Sequence, residues 1–299
     1  MSVLVVGSIA LDSIRTPWAQ RSKLLGGSAS YASVAASLFA PVKLVGVVGT
    51  DFPARFINLF KRRGIDLSGL SVAPGKTFAW EGEYEENMNR RHTLRTELGV
   101  FEGFSPVLSE NHRTCRVCLL ANISPSLQLQ VLEQVESPPV VIADTMDLWI
   151  NTARKELLRL LKRVHVFILN DSEIQQLTET HNLIAAVKRL HRLGPRFVIV
   201  KKGEHGALLS GPNGIFVAPA YPLAKVLDPT GAGDTFAGAV AGYLSQISRL
   251  NQGELRKAIL YGTAVASFCC EGFGLSKLVR VTPQKIERRV IELQQIMWV

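Results

Sequence analysis

The 299-residue sequence predicts an α/β protein with a mostly parallel central sheet and helices on both faces. Three observations predict it. Short apolar runs alternate with segments of helical periodicity, the order that a parallel sheet with crossover helices requires. Polar side chains stand just past several of those runs, at Asp12, Asn122, Asp144 and Asn170, and sheets of this kind bind ligands beyond the carboxyl ends of their strands. Late in the chain, Gly231-Ala232-Gly233 turns directly into a helical segment. Such a turn leaves amide groups pointing outward at the positive end of a helix dipole, where an anion binds.

Taken in order, Val3–Gly7 is a wholly apolar run and reads as a buried strand. Gly26-Gly27 opens a helix over Gly27–Phe39. Strand Val42–Val48 follows, then helix Pro53–Arg63, whose closing Lys61-Arg62-Arg63 suits the negative end of the dipole. Thr77–Tyr84 breaks the rhythm by alternating as a strand, with Phe78, Trp80 and Tyr84 on one face and Thr77, Ala79, Glu81 and Glu83 on the other. A polar turn over Glu85–Asn89 leads to a second strand-like run, Arg91–Leu98. Two strands inserted between α/β units suggest a flap spanning about 75–100, which closes over a substrate or packs on a partner subunit. Strands Val117–Leu120, Val140–Ala143, Val164–Leu169 and Phe197–Lys201 then alternate with helices Ser126–Glu136, Ile150–Arg163, Ser172–Thr178 and Asn182–Leu193. Phe216–Tyr221 carries prolines and suits an edge or hairpin. Three helices end the chain: Asp234–Ser245, Glu254–Cys270 and Pro283–Met297. No repeat or long linker appears, so residues 1–299 read as one domain.

Composition narrows the function. Hydrophobic residues make up 47% and charged residues 20%, the balance of a compact soluble chain. No apolar run is long enough to span a bilayer, and the N-terminus has no basic stretch ahead of its apolar run, so a cytoplasmic protein is expected. The net charge of +9 is scattered, and no nucleic-acid module appears. Attraction for anionic substrates is the better use of that charge. Cys115 and Cys118 are three apart in an expected strand, which points them to opposite faces and makes them poor chelators. With Cys269 and Cys270 they read as ordinary buried thiols.

The chemistry concentrates at Asp228-Pro229-Thr230-Gly231-Ala232-Gly233-Asp234. Two carboxylates bracket the turn, Thr230 offers a hydroxyl, and Asp234 places a base beside amides suited to a transferring phosphate. Asp12 can accept two hydrogen bonds from vicinal hydroxyls, and Gly26-Gly27 allows close backbone approach near it. Asn170 and Glu173 have the spacing of a helix capping box. Lys201 and Lys202 precede a tight turn at Gly203 and Gly206. No Gly-x-x-x-x-Gly-Lys-Ser/Thr string occurs, which argues against a P-loop enzyme.

These motifs closely resemble those of the ribokinase-like (PfkB) family of sugar and nucleoside kinases, most strongly over 228–238. The resemblance implies a ribokinase-like three-layer α/β/α sandwich with a small β-sheet lid. It implies transfer of the γ-phosphoryl group of ATP to a hydroxymethyl group. Asp234 is then the general base, with the Gly231, Ala232 and Gly233 amides around the transferring group. Asp12, Gly26 and Gly27 would bind the polyol, with Tyr31, Phe78, Trp80, Asn122 and Asp144 completing the acceptor site. Tyr31 stands where many relatives have asparagine, so a ring there would stack on a base. Asn170 and Glu173 would organise Mg²⁺ through water. Lys201, Gly203, Gly206, Thr230, Thr263 and Ser267 would line the nucleotide. Asp228, Thr230, Gly272 and Ser276 would hold a monovalent cation such as K⁺. The expected partners are a small sugar or nucleoside, with no nucleic acid and no membrane, in a monomer or a lid-mediated homodimer. The alternative is a non-catalytic nucleotide-binding protein on the same scaffold.

Overall fold

Apolar runs become inner strands, and polar alternating runs become the lid. The computed structural model describes residues 1–297. Its strands are β1 (Val3–Val6), β2 (Ala10–Thr16), β3 (Ala19–Gly26), β4 (Val42–Gly49), β5 (Ile65–Ala73), β6 (Phe78–Tyr84), β7 (Arg91–Glu97), β8 (Val117–Leu120), β9 (Val140–Asp144), β10 (Val166–Asn170), β11 (Phe197–Lys201), β12 (Ala207–Gly211) and β13 (Gly214–Ala218). Its helices are α1 (Ser28–Ala36), α2 (Ala54–Arg62), α3 (Glu110–Arg113), α4 (Pro125–Gln134), α5 (Asp147–Thr152), α6 (Arg154–Leu161), α7 (Asp171–Thr178), α8 (Leu183–Arg192), α9 (Ala232–Leu244), α10 (Gln252–Cys270) and α11 (Pro283–Met297).

The larger sheet has nine strands in the order β13-β12-β11-β10-β9-β8-β1-β4-β5. Seven of them, β11 through β5, run parallel, and β12 and β13 turn back antiparallel at one edge. Alternate residues of each inner strand feed two separate cores. Val3 and Val5 face α1, α9, α10 and α11, while Leu4 and Val6 face α4, α6, α7 and α8. That is the three-layer arrangement expected, with apolar burial on both faces of the sheet as its main driving force.

The lid is a four-stranded sheet in the order β3-β2-β6-β7. It draws as many strands from Ala10–Gly26 as from Phe78–Glu97, and β2 pairs with β6 in parallel. The sequence suggested only the second pair, because β2 and β3 have no apolar run. Three further elements depart from expectation. β5 adds an edge strand whose serines, glycine and half-exposed side chains hide its period. The helix expected over Ile150–Arg163 divides into α5 and α6 at Ala153, which leaves the helical region at φ −137°. The expected strand at Phe216–Tyr221 begins and ends earlier, as β13, because Pro219 cannot donate to the ladder.

Candidate active site

Gly231 caps α9 in the left-handed conformation, φ 74°, which favours glycine. Asp228 shapes the approach. Its Oδ1 accepts the Thr230 amide at 2.9 Å and its Oδ2 accepts the Gly274 amide at 3.0 Å, tying the turn to the loop after α10. Among the described residues no acceptor within the chain takes the amides of Gly231 or Gly233. These donors sit at the positive end of a 13-residue helix, which is an anion site built from backbone alone. Asp234 stands in the first turn of that helix. Burial, with Asp144 nearby, pushes its carboxyl up to about 6, against the pull of Lys201, Arg91 and its own amide.

Lys201 reaches this turn from the end of β11. Its Nζ bonds both oxygens of Asp144, at 2.8 and 3.1 Å, and lies within 3.1 Å of where a Cβ on Gly233 would stand. Burial pulls the Lys201 ammonium down, but Asp144, Glu173 and Asp234 outweigh it and leave the pKa above its ordinary value. Asn170 and Glu173 form a complete capping box on α7. Asn170 Oδ1 accepts the Glu173 amide and Glu173 Oε2 accepts the Asn170 amide, both at 2.7 Å. Burial pushes Glu173 up to about 7, with Lys201 opposing it. Thus β9, α7, β11 and α9 converge a cation and three carboxylates beside free amides.

The acceptor side is built by β2 and the lid. Asp12 is only 4% exposed, and its carboxylate fills the space that a side chain at Gly26 would need. Burial, Asp228 and Asp234 push it up to about 8, with the Gly27 backbone and Arg91 opposing. Gly27 has φ 88°, and a Cβ there would lie 2.5 Å from the Ser8 carbonyl oxygen, so only glycine fits. Asp12 pairs across the sheet with Trp80, so both side chains leave the sheet on one face. Tyr84 shares that face and is buried by a 3.1 Å hydrogen bond between its hydroxyl and that of Thr230. Arg91 is the cross-strand partner of Tyr84 and stacks 5.1 Å over the Trp80 ring. It takes part in no ion pair among the described residues, yet its charge is felt at Asp12, Tyr84 and Asp234. Tyr84 and Arg91 were not singled out as site residues. Tyr84 reaches the turn at 230 by a hydrogen bond that spans 146 residues of sequence, and Arg91 reaches Trp80 from the neighbouring strand.

The other expected site residues are placed as follows. Tyr31 is 1% exposed, with its ring pressed against Gly231 from within the core, so it offers no stacking surface. The cause is the packing of α1 beneath α9. Phe78 stacks on Phe101, which stacks on Phe104, and so seals the lid to the main domain. Of the aromatic stripe, Tyr84 is buried, while Phe78 and Trp80 are half-buried. Asn122 is half-buried and its Oδ1 accepts the Trp149 indole at 2.9 Å. Thr263 is buried on α10. Ser267 is already engaged, accepting from Arg289 of α11 at 2.6 Å and donating to the Ala264 carbonyl, also at 2.6 Å. Gly203 and Gly206 form the turn after β11, where the Lys202 amide donates to the Gly206 carbonyl. Asn89, at the tip of the β6–β7 hairpin, donates to Glu204 of that turn at 3.0 Å, so the lid spans the cleft. Gly272 packs against Ser276 and Lys277 in the loop that Gly274 ties to Asp228.

A half-buried carboxylate at a helix N-terminus, a lysine beside it and a polar lid over the cleft have the chemistry that phosphoryl transfer needs. The model of the pfkB family of carbohydrate kinases matches residues 2–280. The chain belongs to the pfkB family. The cytidine kinase of Thermococcus kodakarensis is 30% identical over 253 residues, covering 81% of this chain and 88% of that one. The fold matches the nucleoside kinase of Methanocaldococcus jannaschii, an archaeal member of the ribokinase family, with TM-score 0.78, 21% identity and coverage of 97% and 98%. It matches Arabidopsis thaliana ribokinase, solved with ribose and ATP, with TM-score 0.75, 24% identity and 97% coverage of each chain. The protein is a kinase of the sugar and nucleoside class. Among its described residues no helix is long and apolar enough to cross a membrane.

Proposed function

We propose that this kinase transfers the γ-phosphoryl group of ATP to a hydroxymethyl group, with Asp234 as general base and a nucleoside as the preferred acceptor. The observation that carries the reading is Asp234 itself, half-buried in the first turn of α9 beside unbonded amides and Lys201. Nucleoside preference is supported by the resemblance to a cytidine kinase. Within the site, Trp80 is a half-buried ring on the strand beside Asp12, while Tyr31 is buried in the core.

Asp12 and the Gly27 amide would orient the acceptor's hydroxyls. The reacting hydroxyl gives its proton to an Asp234 oxygen as its own oxygen bonds to phosphorus, and the bond from phosphorus to the β-phosphate oxygen breaks, releasing ADP. The amides of Gly231 and Gly233, with the ammonium of Lys201, stabilise charge on the group in flight. Asn170 and the free oxygen of Glu173 have the chemistry to hold magnesium through water, since Glu173 keeps one oxygen outside its capping bond. Magnesium supplies charge neutralisation on the phosphates.

Asp234→Asn keeps the size and removes the base. The expected result is a kcat lower by about 10²–10⁴-fold with ATP binding retained, measured by coupled ADP release and by nucleotide titration. Near-normal turnover would refute the assignment. The acceptor is resolved by an ATP-consumption screen over nucleosides, ketoses, aldoses and sugar phosphates, in which a nucleoside is expected to give the highest kcat/KM.

A further inference from the structure

Tyr31 is buried between the two halves of the site. Its amide donates to the carbonyl of Gly27, the cap of α1, at 3.4 Å, so it stands one turn from the Gly26-Gly27 backbone that packs against Asp12. Its ring lies against the other half. A Cβ placed on Gly231 would be 2.4 Å from Cδ1 and 2.5 Å from both Cδ2 and Cε1 of Tyr31. Three ring atoms at nearly one distance from that point put the face of the ring, rather than its edge, against the turn.

The contact has little freedom. A Cβ on Gly238 would lie 2.2 Å from the Ala32 carbonyl oxygen, and one on Gly242 would lie 3.0 Å from that of Ala36. α9 therefore rests on α1 through its glycines, from the cap inward, with no layer of side chains between the backbones that could adjust. Tyr31 is 1% exposed, and among the described residues its hydroxyl finds no hydrogen-bond partner. An unpaired hydroxyl in a core opposes stability, so the polar end is not what holds Tyr31 in place. What the residue supplies is a flat, rigid surface beneath Gly231.

We propose that Tyr31 is a positioning residue, whose ring sets the spacing between the acceptor's hydroxyl and the transferring phosphoryl group. It rests on the reading of the Gly231 and Gly233 amides as donors to that group. The helix that begins at the acceptor turn carries, four residues on, the face on which the phosphate turn lies. The ring thereby fixes the Gly231 amide relative to the Gly27 backbone and Asp12. Attack requires the two reacting atoms within about 3–3.5 Å of each other, and a misplacement of about 1 Å can cost on the order of 10²-fold in rate. Each substrate would still find its own half of the site, so the loss falls on kcat rather than on KM.

The test compares Tyr31→Phe, Tyr31→Leu and Val34→Ala, the last removing packing from another buried position of α1. ATP is the donor, and the acceptor is whichever compound of the screen above the parent phosphorylates fastest. Rates are taken per folded molecule, with the folded fraction measured by circular dichroism well below each Tm. Tyr31→Phe keeps the flat face and is expected to hold kcat within about twofold, whereas Tyr31→Leu should lose about tenfold or more in kcat with both KM values within about threefold. Val34→Ala should lower Tm and leave kcat at the parent value. Tyr31→Met, which keeps apolar bulk without a flat face, gives the same reading if the leucine variant does not fold. The proposal is overturned if the ringless variant keeps the parental kcat, if Tyr31→Phe is as impaired as it, or if Val34→Ala loses as much. A parent that phosphorylates nothing in the screen would refute the kinase reading itself, and the brace with it, whereas an active parent matched by Tyr31→Leu refutes the brace alone.

Discussion

At the scale of single residues, charge at this site is balanced by contacts that cross the whole chain. Lys201 answers Asp144 from 57 positions away, and Arg91 faces Asp12 and Asp234 from the lid. Arg91 is exposed and bears on no core packing, so Arg91→Ala should leave thermal stability within about 0.5 kcal/mol. It should lower kcat/KM by roughly tenfold, the equivalent of ~1.4 kcal/mol in the transition state. Calorimetry and steady-state kinetics on one preparation separate the two, and equal losses in both would mean a structural role. Asp234 also carries a pH dependence. As the proposed base it must be ionised to accept a proton, and burial with Asp144 raises it to about 6. The free-enzyme kcat/KM should therefore climb through about pH 6 to a plateau, and an acid limb near the ordinary carboxylate value of 3.8 would contradict this environment.

At the scale of elements, α7 offers a way to separate structure from chemistry. Losing the Asn170 cap should cost about 1 kcal/mol of stability, because one orphan amide of α7 loses its acceptor. If Asn170 also organises water around magnesium, Asn170→Ala should in addition raise the magnesium concentration needed for half-maximal rate. A variant with the stability loss alone would leave Asn170 as a cap. The same elements show what the sequence makes legible. β1, β8 and β11 are continuous apolar runs, and their bounds were readable to within a residue. β2, β3 and β5 were not, because lid and edge strands need burial on one face at most, and polar residues such as Gln20, Arg21 and Ser22 carry no period. The site follows the same division. Gly231–Asp234, Gly26-Gly27 and the Asn170/Glu173 spacing are local and could be read. The Tyr84–Thr230 bond, the position of Arg91 and the burial of Tyr31 depend on how distant elements pack, and no local spacing encodes them.

At the scale of the molecule, four acids converge on one cleft: Asp12, Glu173, Asp228 and Asp234. Burial raises every one, Asp12 to about 8, Glu173 to about 7 and Asp234 to about 6. A carboxyl whose folded pKa lies above its unfolded value binds its proton more tightly when folded. Its contribution to stability is complete below the unfolded value, and it is lost as pH rises through the folded one. For Asp12 that window runs from 3.8 to about 8. Two histidines, buried His112 and half-buried His165, oppose this on the acid side, since desolvation lowers both and their charging disfavours the fold below about their ordinary value of 6.5. The slope of the parent protein alone therefore mixes two trends, and the difference between parent and Asp12→Asn isolates one. The amide cannot ionise, so its Tm relative to the parent should rise steadily from pH 5 to pH 8. The histidines are common to both proteins and cancel. Calorimetric scans of the unliganded proteins across that range measure the difference directly. A Tm difference that stays level from pH 5 to pH 8 would show that Asp12 titrates as an ordinary carboxylate in the folded protein. The cleft would then hold its acids ionised before any ligand arrives, rather than releasing their protons as a cation or hydroxyl takes its place.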